Sequence, residues 1–201
     1  MTDAARYRIA ARALFAPFGG LARLRRRAVE ALHLHRGARV LELGCGPGDV
    51  TAALLECGAN VEAVDASAEM LRAAAVRAPG ARYVHADIRT YRSTTSVDAV
   101  LLLFVLHEIP VADMPEMLRT VAGCLAPGGR LVVADHAVPR DMWGGVWRRV
   151  LHAVESRAVD SWLALEPASL LRQAGLVVEL EEEVAGGRAR LVAARRARSS
   201  P

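Results

Sequence analysis

The stretch VLELGCGPG, residues 40–48, decides the fold of this 201-residue chain. Its apolar first half, preceded by Arg39, is typical of a short strand buried in a parallel sheet. Three glycines then alternate with other residues, and at glycine the backbone N–H groups can approach a ligand where a Cβ atom would collide. Asp49 follows and is predicted to cap a helix from Val50 to Cys57. The stretch therefore predicts a strand, a ligand-binding turn and a helix.

The alternation of strand and helix continues along the chain. The sequence predicts helices over 68–77, 114–125 and 167–173, with Ser67 capping the first. It also predicts strands over 39–43, 60–65, 81–86, 98–104, 130–135, 176–184 and 188–194. The last two strands are joined at Gly186-Gly187, as in a hairpin. This pattern predicts an α/β fold with a doubly wound, mostly parallel sheet that ends in an antiparallel strand.

Acidic residues end two of the predicted strands, where an open α/β sheet binds its ligands. Asp65 ends the second strand, and a carboxylate there can bond both ribose hydroxyls of a nucleoside. Asp87 ends the third strand, and we expect it to accept a hydrogen bond from an adenine amino group while the Ile88 N–H faces a ring nitrogen. Each acid alone is compatible with a turn or a cap. Their order over successive strand ends favours a nucleoside site.

The glycine pattern differs from that of dinucleotide-binding proteins. Their fingerprint is G-x-G-x-x-G, whereas here the third glycine is Gly48 and Asp49 follows it. A carboxylate at the start of the helix would repel a pyrophosphate. The sequence thus argues against an NAD-binding oxidoreductase, which stays open as an alternative.

The sequence resembles the class I S-adenosylmethionine-dependent methyltransferases over about residues 38–195. Residues 40–48 resemble the nucleotide-binding loop of that family, VDAS at 64–67 its ribose-binding segment, and ADI at 86–88 its adenine-recognition turn. Residues 118–133, which contain LAPGG at 125–129, resemble its signature from a helix to the fifth strand. The chain ends are loosely similar to those of quinone-ring and small phospholipid methyltransferases.

The resemblance implies a Rossmann-like sheet of seven strands in the order 3-2-1-4-5-7-6, with strand 7 antiparallel. It also implies S-adenosyl-L-methionine as the cofactor and methyl transfer to a small-molecule hydroxyl, amine or activated ring carbon. The residues expected to bind the cofactor are Glu42, Gly44, Cys45, Gly46, Gly48, Asp65, Ala66, Met70, Asp87, Ile88 and Phe104.

His107 and Glu108 follow the fourth strand and are the candidate catalytic residues. A proton must leave when the acceptor is a hydroxyl or an acidic carbon, and an imidazole titrates near neutrality. His107 is therefore a candidate base, and lining the cofactor pocket is an equally good interpretation. Glu108 is expected either to orient His107 or to be a plain loop acid.

Three regions are expected: basic N-terminal helices over 1–37, the methyltransferase domain over 38–195, and a disordered tail over 196–201. Within the domain, residues 136–164 are expected to cover the acceptor. Trp143, Trp147 and Leu151 recur there at helical spacing, which favours packing. Stacking of the tryptophans on a flat aromatic acceptor is the alternative.

Composition excludes several kinds of chemistry. All 26 basic residues are arginine, so mechanisms that need a lysine amine are excluded. The three cysteines form no close ligand pair, and no histidine, cysteine and aspartate cluster occurs at metal-ligand spacing, so no metal is expected. Cys45 is expected to fill space and not to act as a nucleophile. The run Glu181-Glu182-Glu183 is expected to be partly a solvated edge.

Charge is uneven along the chain. Residues 1–40 carry a net charge of +7, residues 41–185 carry −8, and residues 186–201 carry +5. The acidic body offers no basic channel for nucleic acid, so no nucleic-acid partner is expected. The basic N-terminal segment leaves open a peripheral contact with an anionic membrane, and with it a quinone or a phospholipid headgroup as acceptor. The longest apolar run has eight residues, too few to span a bilayer, and a cytoplasmic location is expected.

Overall fold

The computed structural model describes residues 20–142, 144–154 and 158–197. The strands are β1 Arg39–Leu43, β2 Asn60–Asp65, β3 Arg82–His85, β4 Val97–Leu103, β5 Leu125–His136, β6 Leu176–Val184 and β7 Ala189–Arg196. They form one sheet in the order β3-β2-β1-β4-β5-β7-β6. β7 is antiparallel to both of its neighbours, and the other neighbouring pairs are parallel. The strand order and the position of the antiparallel strand are confirmed.

Helices occupy both faces of this sheet. They are α1 Gly20–Ala31, α2 Asp49–Glu56, α3 Ala68–Arg77, α4 Met114–Cys124, α5 Gly144–Val154, α6 Ala158–Leu163 and α7 Pro167–Gln173, with a 3-10 turn at Leu106–Glu108. Among the described residues, no helix has both the length and the apolar character needed to cross a bilayer.

Two apolar cores lie on the two faces because successive side chains of a strand point in opposite directions. In β1, Val40 belongs to one core and Leu41 to the other. The first core takes apolar residues from α1, α2, α3 and α5, and the second takes them from α4, α6 and α7. β4 contributes to both cores, which explains why its residues 99–103 are an unbroken apolar run.

The chain order reverses between β1 and β4. β2 and β3 continue the sheet on one side of β1, whereas β4 pairs with β1 on the other side. In an open α/β sheet, ligands bind in the crevice at the carboxyl ends of the strands at such a point. Here the crevice lies between Gly44, which follows β1, and Phe104, which follows β4.

The structure moves the predicted bounds of β3, β4 and α4 by one residue, and it corrects three other elements in ways that matter for the site. α2 begins at Asp49, and its N-cap is Gly48, which makes no side-chain capping bond. β5 begins at Leu125 because this residue already pairs with Val97, before a shift in register. β7 extends to Arg196, so this residue, the first of the expected disordered tail, belongs to a strand. By contrast, Ser67 caps α3 as predicted, since its Oγ accepts the Met70 N–H at 3.3 Å.

Candidate active site

Glycine is required at the loop after β1 for two different contacts. Gly44 and Gly48 have φ values of 74° and 80°, which L side chains rarely adopt. A Cβ atom on Gly44 would lie 2.3 Å from a methyl group of Val105, and one on Gly48 would lie 2.8 Å from the Cα atom of Ala74. These glycines therefore let the loop pack closely on the β4 end and on α3.

Gly46 differs because it faces open space. Its φ is 52°, and a Cβ atom there would meet nothing within 4 Å. The cleft beside it is lined by Arg25, Glu42, Gly44, Cys45, Gly46, Pro47, Asp49, Val50, Leu103 and Phe104. The loop thus presents backbone to an open cleft at the predicted crevice.

Asp65 fixes the tip of this loop. Its Oδ2 accepts the Gly46 N–H at 2.8 Å, and its Oδ1 accepts the Ser67 N–H at 2.8 Å. A carboxylate offers about four lone-pair sites, so each oxygen can accept a second donor. Two remaining acceptor sites match the two hydroxyls of a ribose.

Glu42 lies buried below the loop, with 4% of its surface exposed. Thr51 Oγ1–H donates to Glu42 Oε2 at 2.6 Å. Burial raises the pKa of Glu42 to about 8. The Thr51 hydrogen bond acts to lower this pKa, whereas the charge of Asp65 acts to raise it. Burial also raises the pKa of the Cys45 thiol. The thiol form therefore predominates at Cys45, in agreement with the expected absence of a nucleophilic role.

Phe104 closes the other side of the cleft in a strained conformation. Its φ is 55°, which costs a non-glycine residue on the order of 1–3 kcal/mol. Its N–H donates to the Ala134 carbonyl at 2.8 Å. Its ring lies 4.8 Å from that of His136, centroid to centroid. Strain of this kind often accompanies function, which favours Phe104 as a cleft residue.

The remaining candidate cofactor residues lie at the ends of β2 and β3. His85 Nε2–H donates to the Ala66 carbonyl oxygen at 2.9 Å, and Met70 lies in the first turn of α3. Asp87 binds the Arg89 guanidinium with both oxygens, and this hydrogen bonding lowers the pKa of Asp87. Ile88 is buried at 7% exposure. Any adenine amino group at Asp87 would therefore share this carboxylate with Arg89.

His107 forms a buried pair with an acid that the sequence analysis did not select. Its Nδ1 lies 2.8 Å from Asp135 Oδ1, and the two side chains are 3% and 1% exposed. Glu108 is 69% exposed, with Oε1 at 3.9 Å from His107 Nε2. Of the two acids that the described residues place beside His107, Asp135 on the neighbouring strand β5 makes the closer contact. Asp135 was missed because 28 residues separate it from His107, although it ends a predicted strand as Asp65 does.

The structure also brings together a cluster of possible metal ligands that the sequence analysis did not expect. His107, Asp135 and His136 each offer a ligand atom, and these atoms lie within 4.8 Å of one another. Asp135 nevertheless accepts from four donors: His107 Nδ1, the His136 N–H, the Val105 N–H and the His107 N–H. Because these occupy its four lone-pair sites, the geometry favours a histidine–aspartate pair over a metal site.

Two tryptophans from 136–164 are fixed beside this pair. The Trp147 indole N–H donates to the Ala137 carbonyl at 3.0 Å, and that of Trp162 donates to the His136 carbonyl at 2.9 Å. Both side chains are buried, at 5% and 2% exposure, and the burial of Trp147 agrees with the packing interpretation. Trp143 lies outside the described residues.

Arg188 was not anticipated either. It is 7% exposed, and its guanidinium carbon lies 5.6 Å from the centroid of Trp147, a cation–π distance. Its Nη1 donates to the Gly186 carbonyl at 2.7 Å. Its position after two glycines gave no signal of burial.

Three comparisons place these features among known proteins. A family model described as a methyltransferase domain matches residues 40–129. The chain is 39% identical over 104 residues to trans-aconitate 2-methyltransferase of Azoarcus sp. (strain BH72), which covers 50% of this chain and 40% of that protein. It is 39% identical over 124 residues to demethylmenaquinone methyltransferase of Beutenbergia cavernae, covering 60% and 50%. The chain thus spans half or less of the length of these curated relatives.

Solved structures share the fold. N-methyltransferase NodS from Bradyrhizobium japonicum WM9, in complex with S-adenosyl-L-homocysteine, has a TM-score of 0.64 and 20% sequence identity, over 86% of each chain. At this identity the likeness concerns the fold alone.

Proposed function

The chain belongs to the class I S-adenosylmethionine-dependent methyltransferases, and on this basis we propose that it transfers a methyl group from S-adenosyl-L-methionine to a small-molecule acceptor. The observation that carries the proposal is the glycine loop after β1. Gly46 faces an open cleft with a bare backbone, while Asp65 ties the loop to the end of β2 and keeps two acceptor sites.

The residues of the cleft fit this cofactor. The remaining acceptor sites of the Asp65 carboxylate suit the ribose of a nucleoside, and a carboxylate at this position also suits a ligand with positive charge. Gly44, Gly46, Asp65 and Met70 would hold the cofactor, with Asp87 at the adenine end. When bound, the cofactor supplies an electrophilic sulfonium methyl group.

What the protein must do is hold an acceptor in line with that methyl group at roughly 3–3.5 Å and exclude water. His107 is the residue we propose to receive the acceptor's proton. Its ring lies 4.7 Å from that of His136, which in turn contacts Phe104 at the cleft. This chain of rings supports a role for His107 beside the reacting groups.

Cofactor choice is tested by calorimetry. We expect the purified protein to bind S-adenosyl-L-methionine with measurable heat and a thermal shift, and NAD to give neither. Binding of NAD alone would instead favour the oxidoreductase alternative. A subsequent screen with methyl-labelled cofactor should cover hydroxyl, amine and ring-carbon acceptors, with labelled product detected by mass spectrometry.

The role of His107 is tested on any acceptor found. We expect His107→Ala to lower turnover by about 10²–10⁴-fold, the usual contribution of a general base. His35→Ala is the matched control, since His35 is exposed and precedes β1 at the opposite edge of the sheet. Turnover within about twofold of wild type across pH would remove His107 from the mechanism.

A second candidate is action at a membrane surface, on a quinone or a phospholipid headgroup. The observation in its favour is two exposed apolar side chains near the start of α5, Met142 before the helix at 87% exposure and Val146 within it at 51%. Arg148 and Arg149 are exposed on the same helix. Apolar and basic side chains together suit an anionic bilayer.

A further inference from the structure

Asp87 and Arg89 form an ion pair within the turn that follows β3. Arg89 Nε lies 3.1 Å from Asp87 Oδ1 and 2.9 Å from Oδ2, and Arg89 Nη2 donates to Oδ2 at 2.5 Å. The Arg89 backbone N–H donates to Oδ1 at 2.9 Å. Because a carboxylate has about four lone-pair sites, Arg89 by itself occupies the acceptor sites of Asp87.

This occupancy matters because Asp87 lies where the adenine of the cofactor is expected. β2 and β3 are parallel neighbours, and Asp65 pairs in register with His85, two residues before Asp87. Neighbouring strands lie about 4.8 Å apart, so Asp65 and Asp87 follow their strands at the same edge of the sheet. A purine 6-amino group that donates to Asp87 needs an acceptor site that Arg89 holds.

The side chain of Arg89 can leave Asp87 while the backbone N–H stays. The turn fixes the backbone, since the N–H groups of Thr90 and Tyr91 both donate to the Asp87 carbonyl, at 3.1 and 2.9 Å. The side chains of Arg89 and Asp87 are 43% and 39% exposed, and exposed ion pairs contribute little free energy. Release of the guanidinium therefore leaves Asp87 oriented through Oδ1 and frees the acceptor sites of Oδ2.

Asp113 offers the guanidinium a second carboxylate. Arg89 Nη1 lies 3.3 Å from Asp113 Oδ2, and the Asp113 side chain is 45% exposed. Asp113 is the N-cap residue of α4, but within the described residues its side chain makes no capping bond to that helix. Arg89 can thus exchange Asp87 for Asp113 without losing an anionic partner.

We infer that Arg89 competes with the adenine amino group for Asp87, and that Asp113 takes the guanidinium when the cofactor binds. This inference rests on the proposed function. S-adenosyl-L-methionine and its product S-adenosyl-L-homocysteine carry the same adenine, so Arg89 weakens the binding of both. A ligand that lacks the 6-amino group does not compete with Arg89. Arg89 therefore reduces the preference of the site for a 6-aminopurine.

Calorimetry on Arg89→Met tests this competition. Methionine keeps the backbone N–H and has no side-chain donor. We expect Arg89→Met to bind S-adenosyl-L-homocysteine about two- to fivefold more tightly than wild type, the range for loss of an exposed ion pair. This probe is used because its amino acid part is a zwitterion, so the loss of one arginine has little general electrostatic effect on its affinity.

An analogue of S-adenosyl-L-homocysteine with hydrogen in place of the 6-amino group isolates the contact. We expect wild type and Arg89→Met to bind this analogue with the same affinity. An equal gain for both ligands would show a general effect of charge and contradict the competition. Weaker binding of S-adenosyl-L-homocysteine by Arg89→Met would show that Arg89 supports the adenine, by orienting Asp87 or by stacking on the ring, and would overturn the inference.

Arg39→Met is the matched control because Arg39 also approaches one aspartate with its backbone and its side chain. Its N–H donates to Asp98 Oδ2 at 2.8 Å, and its Nε lies 3.7 Å from the same oxygen. Arg39 begins β1, so this pair lies at the opposite edge of the sheet from Asp87. Arg39→Met should bind both ligands as wild type does.

Asp113→Asn tests the second carboxylate. Without the charge of Asp113, the guanidinium should stay with Asp87, so we expect weaker binding of S-adenosyl-L-homocysteine than in wild type. The double variant Arg89→Met, Asp113→Asn should bind it as Arg89→Met does. The same effect of Asp113→Asn with and without Arg89 would contradict the exchange between the two acids.

The same titrations separate this inference from the proposed function. If neither S-adenosyl-L-methionine nor S-adenosyl-L-homocysteine binds to wild type or to Arg89→Met, both proposals fail. If both compounds bind and Arg89→Met leaves their affinities unchanged, the inference about Arg89 fails and the proposed function stands.

Discussion

Glu42 connects the chemistry of a single side chain to the stability of the whole protein. It lies directly under the glycine loop, is buried, and accepts a hydrogen bond from Thr51. Its pKa of about 8 means that the folded protein holds a proton that the unfolded chain, with an ordinary value of 4.5, releases. The site therefore contains a carboxylic acid that is mostly neutral at pH 7.

We expect this proton to make stability depend on pH. Below pH 4.5 both states hold the proton, and between pH 4.5 and about 8 only the folded state does. The free energy of unfolding should fall across that interval, by at most about 1.4 kcal/mol per pH unit from this group. Urea unfolding from pH 5 to 8 measures the slope.

Glu42→Gln should remove this part of the slope, since glutamine does not titrate. Glu116→Gln is the control, because Glu116 is 79% exposed and should leave the slope unchanged. The same slope in Glu42→Gln and wild type would show that the proton is not held at Glu42.

At the scale of elements, Asp49 links three helices. Its carboxylate lies 3.1 Å from Arg25 Nη1 on α1 and 3.2 Å from Arg77 Nη1 on α3. Asp49 is itself the first residue of α2, where a negative charge also favours the helix dipole. Because Gly48 caps the helix without a side chain, the carboxylate is available for the two arginines.

Asp49→Asn should destabilise the protein by about 1–3 kcal/mol, between the values for exposed and buried ion pairs. Two guanidinium groups would then lie near each other without their shared anion. Asp113→Asn is the control, since Asp113 precedes α4 but is 45% exposed. Chemical unfolding measures both changes. An equal cost of Asp49→Asn in an Arg25→Gln background would contradict the proposed link to α1.

At the scale of the molecule, the basic ends of the chain pair with its acidic body. Arg27 lies 2.7 Å from Glu182, and Arg195 lies 2.7 Å from Glu179. The run Glu181-Glu182-Glu183 is therefore partly a solvated edge, as the sequence predicts, and Glu182 also pairs with Arg27. Part of the charge that indicated an anionic partner is neutralised within the fold.

Membrane contact should consequently depend on apolar exposure as well as charge. We expect cosedimentation with anionic phospholipid vesicles at low salt, and its loss in the double variant Met142→Ser, Val146→Ser. Val76→Ser is the control, because Val76 is 86% exposed on α3. A deletion that removes the basic N-terminal segment together with α1 would not isolate the effect of charge, because Leu21 and Leu24 of α1 are in the core. Equal binding by all variants would show that Met142 and Val146 do not contact the membrane, contrary to the second candidate function.

Local pattern sufficed for much of the fold. β1, β2 and α3 begin and end at the predicted residues because each is bounded by glycine, proline or a capping serine close in sequence. Asp65 could be selected as a site residue for the same reason, since it ends a clear strand beside the crevice. Cap and boundary errors at Asp49 and Leu125 occurred where a distant partner, Arg25 or Val97, determines the local geometry.

The sequence by itself determined the strand order, through its resemblance to a family, and the place of the glycine loop, because glycines and strand ends are read from neighbouring residues. Only the tertiary structure decided that Asp135 pairs with His107, that Glu42 retains a proton, and that Arg188 is buried on Trp147. These depend on distances between residues far apart in the chain and on the loss of water around them. Local sequence pattern specifies neither these distances nor this loss of water.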